Sequence, residues 1–206
     1  FDPDEISDNP LLNTKKFNMV YTGGLYWGAK RQNPEKFVKI IKNLLEKNLI
    51  KRDKLEIIFY GKYKDRNNLF FKLIRENSLE DVFKFPGFIP REEILKIQRR
   101  AQILLLFDWN APDERGVCPA KIFEYIASKR PILVIGKYDS EVKKIIEKTN
   151  AGFFCKTDEE IENTILNLYK EWEKNGFVSF EGREDKINNY THKKMAEKFA
   201  EILENK

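Results

Sequence analysis

Gly116 to Pro131, GVCPAKIFEYIASKRP, sits between two apolar runs, Ala101 to Phe107 and Pro131 to Ile135. The order supports strand, loop, helix, strand, and in α/β proteins the loop and helix start of such a unit are where ligands bind. Pro119 suits the first helical position, because its missing N–H would have no intrahelical partner there and its φ is already helical. Ile122, Phe123, Ile126 and Ala127 then share one apolar face, with Lys121, Glu124 and Ser128 opposite. Burial accounts for the first face. It does not account for Lys121, a cation near the positive end of a helix dipole, which costs a few tenths of a kcal/mol unless an anion binds there. Glu124 lies beyond Pro119 by roughly 7.5 Å along the axis, at 1.5 Å rise per residue. That is the reach from a phosphate at the helix tip to a ribose diol, which a carboxylate can hold through two hydrogen bonds.

At 206 residues and 41% hydrophobic content, the chain can bury one substantial core. No run approaches the roughly 20 apolar residues of a membrane span, and no signal-peptide pattern opens the sequence, so a soluble domain is expected. The net charge of +5, from 38 basic and 33 acidic residues, is spread over helix surfaces. Lys15, Lys16, Lys30 and Arg31, with the C-terminal lysines, leave open an attraction to an acidic membrane surface or to anionic ligands. Nucleic acid is disfavoured as a partner, since the aromatic residues fall in strand and helix cores and form no basic-aromatic motif. Cys118 and Cys155 are far apart, with no Cys-x-x-Cys and a single His192, so no metal site and no metal cofactor are expected. Free thiols fit a reducing compartment, which makes the cytoplasm the expected location.

Residues 1–17, FDPDEISDNPLLNTKKF, are polar, contain two prolines and have no period; they read as a linker remnant. Strands are then expected at Asn18–Thr22, Leu55–Tyr60, Val82–Phe85, Gln102–Phe107, Ile132–Ile135 and Gly152–Cys155. Helices are expected at Pro34–Lys47, Asn67–Asn77, Arg91–Arg100, Pro119–Ser128, Ser140–Lys148 and Glu159–Asn175. The runs Ile57–Tyr60, Ile103–Phe107 and Ile132–Ile135 are continuously apolar, as in strands covered on both faces. The fold class is therefore α/β, a Rossmann-like doubly wound parallel sheet of about six strands with helices on both faces. Residues 18–180 would form this domain, and 181–206, ending in a helix Lys193–Glu204, a helical tail packing back on it.

In such a sheet ligands bind beyond the carboxyl ends of the strands. Those loops carry Gly23-Gly24, Gly61-Lys62-Tyr63, Gly87-Phe88-Ile89-Pro90 and Asp108 to Cys118. Gly23 and Gly24 would let backbone amides approach a phosphate closely, although glycine at such turns is also ordinary turn chemistry. There is no Gly-x-Gly-x-x-Gly after the first strand and no Gly-x-x-x-x-Gly-Lys-Ser/Thr, which argues against dinucleotide and P-loop domains.

With these residues in place, the chain resembles the C-terminal, donor-binding domain of GT-B glycosyltransferases, closest to the retaining family 4 (group 1) that uses nucleotide-sugars. FDPDEIS is similar to the interdomain linker, YTGGLY to the first strand and phosphate loop, FPGFIPREEI to the third-strand turn, and PAKIFEYIASKRPIL to the ribose-binding helix and next strand. By position, the resemblance implies that Gly23 and Gly24 line the diphosphate. The family's Arg-x5-Lys pair falls on Gly24 and Lys30, so the lysine is kept and the arginine is not. Lys62 is a further phosphate candidate. Phe88 and Ile89 would meet the base through main-chain groups. Glu124 matches the second glutamate of the family's Glu-x7-Glu motif, while Gly116 stands where the first would be. The variant Pro119-Ala120-Lys121 implies phosphate contact by Lys121 and by the amides of Val117 and Cys118.

The implied substrate is a nucleoside-diphosphate sugar of UDP or GDP type, and the implied partner an N-terminal acceptor-binding domain that this stretch does not include. The resemblance further implies polysaccharide biosynthesis at the inner face of a membrane, with the chain peripheral to it and unable to transfer sugar alone. It leaves open a nucleotide-sugar epimerase of the same fold and a catalytically inactive binding module. No catalytic residue can be named.

Overall fold

The computed structural model describes residues 15–25, 32–63, 65–109, 111–114 and 116–204. Six parallel strands form one sheet: β1 Phe17–Thr22, β2 Leu55–Tyr60, β3 Phe83–Gly87, β4 Ile103–Phe107, β5 Ile132–Ile135 and β6 Gly152–Cys155. Their order is β3-β2-β1-β4-β5-β6, so the direction of winding reverses between β1 and β4. Between the strands run α1 Pro34–Glu46, α2 Leu69–Glu76, α3 Arg91–Arg99, α4 Lys121–Ala127 and α5 Glu141–Thr149; α6 Asp158–Asn175 follows β6, and then come α7 Glu184–Ile187 and α8 His192–Glu204.

Alternation along the strands divides the core into two layers. Met19, Tyr21, Leu105 and Phe107 face α1, α2 and α6, whereas Val20, Leu104 and Leu106 face α4, α5 and α7. Strands β4 and β5 are buried at every residue, as their continuous apolar runs require. β2 differs from expectation. Its burial alternates, with Ile58 and Tyr60 only half covered, because α3 crosses that face with a single buried residue, Gln98.

Helix starts follow side-chain caps. Asn33, Asn68 and Ser140 accept hydrogen bonds from the amides of Lys36, Phe71 and Lys143, and Thr157 with Glu160 makes a reciprocal capping box. The helix expected from Pro119 begins at Lys121 instead. Pro119 and Ala120 accept from the amides of Ile122 and Phe123, so the entry is a tight turn of i to i+3 bonds. Its faces also differ from expectation: Tyr125 joins the buried set and Ser128 is buried, whereas Phe123 is half-exposed. Beyond α6, Ile187 of α7 is buried in the second layer, and the Arg183 amide donates to the Thr149 carbonyl at 2.7 Å. Helix α8 has no buried residue. No described helix is long and apolar enough to cross a membrane.

Candidate functional site

A cleft of about 270 Å³ opens above the carboxyl ends of β1 and β2. Thr22, Gly23, Tyr60 and Gly61 form its floor, Phe88, Ile89, Arg91 and Ile94 one wall, and Lys121 and Glu124 of α4 the other. Ile89 and Ile94 supply an apolar side. Phe88 is 67% exposed at the rim, and the Lys62 Nζ lies over its ring at 5.0 Å, within cation–π range. Gly23, Phe88, Ile89, Lys121 and Glu124 were all expected at a site, and the fold brings them together.

Lys121 is turned inward. Its Nζ donates to the Tyr21 hydroxyl at 2.7 Å, lies 4.0 Å from the centre of that ring, and would be 3.1 Å from a Cβ placed on Gly23. Burial lowers its pKa to about 8 against a smaller opposing pull from Glu124. Gly23 has φ +101°, a conformation that L side chains rarely adopt, so glycine is required there for backbone reasons as well as for room. Gly61 is packed as closely: a Cβ on it would stand 2.5 Å from the Gly23 carbonyl oxygen.

Glu124 is a third exposed at its side chain, and its Oε1 lies 3.4 Å from Arg91 Nε. The pair spans the two walls and keeps the carboxylate at the cleft. Below it a buried polar chain ties α4 to the end of β1. The Tyr125 hydroxyl accepts from the Thr22 amide at 2.9 Å and the Thr22 hydroxyl at 3.2 Å, Gln98 donates to Thr22 Oγ1 at 3.0 Å, and Ser128 donates to Gln98 at 3.2 Å. Burial pushes the Tyr125 pKa up to about 12.

Other expected residues stand elsewhere. The Gly24 carbonyl accepts from Tyr21, but its α-carbon faces open space. Lys62 stands beside the rim, outside the lining. Val117 is exposed and Cys118 half-buried, and neither lines the cleft. Burial, with the nearby carboxylates of Asp108 and Glu141, pushes the Cys118 thiol up to about 11. Lys30, together with Arg31, lies outside the described residues. Gly61 stood in an expected ligand loop, whereas Tyr60, at the end of β2, and Arg91 and Ile94 of α3 were not anticipated, because residues on separate segments meet only once the sheet order is set.

A larger hollow of about 540 Å³ lies beside the start of α1, between Asn33, Lys39 and Leu69. It is mostly polar, and its Lys36 is already engaged with Asp158 at 2.8 Å and the Lys156 carbonyl at 2.8 Å. Among the described residues no three His, Cys, Asp or Glu side chains group to hold a metal ion.

The family model for glycosyl transferases group 1 matches residues 2–185. The chain belongs to that family. Several solved structures share the fold of this group 1 domain at low identity. HepE of Anabaena, determined with UDP-glucose, has a TM-score of 0.72 at 14% identity, covering 100% of this chain and 56% of its own. The pneumococcal O-GlcNAc transferase GtfA, with UDP and GlcNAc, gives 0.63 at 15%, covering 97% of this chain and 37% of its own. TarM of S. aureus, with UDP among its ligands, gives 0.62 at 16%, covering 95% and 37%. The domain thus spans about half the length, or less, of these structures. No curated protein is significantly similar to it.

Proposed function

We propose that this group 1 domain is the donor-binding half of a glycosyltransferase and holds a nucleoside-diphosphate sugar in the cleft above β1 and β2. The observation that carries the reading is Lys121. A lysine buried enough to lose basicity, pointed at a positive-φ glycine in a phosphate-loop position, is a cation whose desolvation Tyr21 and Glu124 offset only in part and an incoming anion would offset further. In this reading Gly23 and Gly24 meet the diphosphate, with Lys121 neutralising it and Lys30, Lys62 and the amides of Val117 and Cys118 as outer contributors. Glu124 holds the ribose diol, and the main chain at Phe88 and Ile89 meets the base beside Ile94. UDP is favoured over GDP by the ligands of HepE, GtfA and TarM.

The chemistry assisted is stabilisation of the departing diphosphate by Lys121 and the loop amides as the sugar–oxygen bond breaks. The acceptor, a glycan or lipid-linked sugar, and any general base would come from a second, N-terminal domain. Residues 18–180 form the donor domain, 1–17 the linker to its partner, and 181–206 a tail. Transfer with retention, a cytoplasmic location and work at an inner membrane face are parts of the same proposal. Gly116 in place of the first motif glutamate keeps an inactive binding module as the second reading.

Calorimetric titration of the chain with UDP, GDP and ADP tests this. One diphosphate should bind, and Lys121→Ala should weaken it by about 1–3 kcal/mol, the worth of a hydrogen bond to a charged group. Equal binding by wild type and variant would remove Lys121 from the site and the reading with it.

A further inference from the structure

The geometry points to Tyr21 and Tyr63 as positioning residues that set the loop after β1 for a diphosphate, by holding the Gly23 and Gly24 carbonyls back so that the next amides face the ligand. This rests on the reading of the cleft as a nucleoside-diphosphate site. The Tyr63 hydroxyl donates to the Gly23 carbonyl at 2.8 Å, and the Tyr21 hydroxyl to the Gly24 carbonyl at 2.7 Å. A phenol has one proton to donate, and each of these two goes to a consecutive carbonyl of one short loop. In a planar trans peptide the C=O and N–H point to opposite sides. Fixing the Gly23 carbonyl therefore turns the Gly24 N–H away from Tyr63 and the β2 loop, and fixing the Gly24 carbonyl turns the Leu25 N–H away from the Tyr21 hydroxyl. Successive backbone N–H groups left without carbonyl partners in a turn are the elements of an anion-binding concavity. Around Gly24 no atom lies within 4 Å of where a Cβ would stand, so the approach is open.

The rings that carry the hydroxyls cannot wander. Tyr21 is fully buried, with ring centres 5.3 Å from Phe59 and 5.5 Å from Phe107. Tyr63 packs edge-on to Phe59, Phe71 and Phe85 at 6.4, 6.1 and 5.9 Å. Phenylalanine would fill either place as well, so core packing leaves the hydroxyls unexplained and the loop explains them. The Tyr21 hydroxyl has a second task. It accepts from Lys121 Nζ at 2.7 Å, so one oxygen places both a loop carbonyl and the cation beside it. Burial pushes the Tyr63 hydroxyl far above its ordinary pKa, which keeps it a donor.

Tyr21→Phe and Tyr63→Phe, made in the 206-residue chain, test the inference by calorimetry with UDP, UMP and uridine. Each should lower UDP affinity about tenfold, lower UMP affinity less and leave uridine unchanged, with the urea midpoint of Tyr63→Phe close to wild type. Equal loss for all three ligands would show a merely structural role, and unchanged UDP affinity would remove the tyrosines from the site; either result overturns the inference. Backbone order parameters at Gly24 and Leu25 separate this from failure of the donor-site reading. If wild type binds no UDP, the donor-site reading fails. The clamp itself then stands if those order parameters drop from rigid values toward about 0.6 in the Phe variants, and falls if they do not move.

Discussion

Lys121 carries the strongest electrostatic signature in the cleft. Its folded pKa, near 8, lies below the ordinary lysine value, so the folded state holds the charged amine less well than the unfolded chain does. Between pH 8 and the unfolded value the unfolded chain binds more protons, and stability should rise with pH across that window. Binding runs the other way, because a diphosphate favours the charged amine. UDP affinity should therefore decline as pH rises past about 8, and Lys121→Met should flatten the decline; titrations from pH 6.5 to 9.5 check both. Glu124 is a milder case. Its pairing with Arg91 is partly exposed, so Arg91→Ala should cost no more than about 1 kcal/mol of stability in urea unfolding. Glu124→Ala should instead weaken UDP binding by about 1–3 kcal/mol, read by calorimetry. Lys121 and Glu124 were legible in the sequence as polar residues on a short helix after a strand. That Lys121 would be buried over Tyr21 was not, because the contact spans a hundred residues of chain.

Helix α4 is held to β1 by the bond between Tyr125 and Thr22, not by apolar contact alone. Tyr125→Phe leaves the buried Thr22 amide without its acceptor, a loss worth about 1–3 kcal/mol in an unfolding titration. The same substitution should loosen the register between α4 and the β1 loop, and with it the placing of Lys121. At the neighbouring loop, Gly61→Ala forces a methyl group against the Gly23 carbonyl, and overpacking of this kind typically costs about 1–3 kcal/mol. Elements with a clear period were legible to within a residue or two: β2, β5 and β6 match expectation at both ends, and α1 and α3 at their starts. The entry to α4 was misjudged because Pro119 is as compatible with a tight turn as with a first helical residue. Helix α7, at four residues, is too short to show a period at all.

Over the whole molecule, the parallel strands bring the loops after β1, β2 and β3 and the helix α4 to one rim, and the winding reversal between β1 and β4 opens the crevice there. Alternating apolar and amphipathic segments made that architecture legible, whereas Tyr21, Tyr63 and Arg91 acquire roles only through it. One buried carboxylate outside the cleft bears on global stability. Asp108, at the end of β4, accepts from Ser140 at 2.5 Å and from the Trp109 amide at 2.9 Å, yet burial still raises its pKa. A raised carboxyl pKa means that the folded state holds its proton longer than the unfolded one, so this group's contribution falls as pH rises from about 4. Asp108→Asn should accordingly raise the melting temperature at pH 7, with the gain shrinking toward pH 4 in a calorimetric series.

A crystal structure of the chain with UDP tests the central claim most directly. The account predicts the diphosphate against Gly23, Gly24 and Lys121, the ribose on Glu124 and the base beside Phe88 and Ile89. Ordered UDP in the hollow between Asn33, Lys39 and Leu69, with the cleft above β1 and β2 empty, would contradict it.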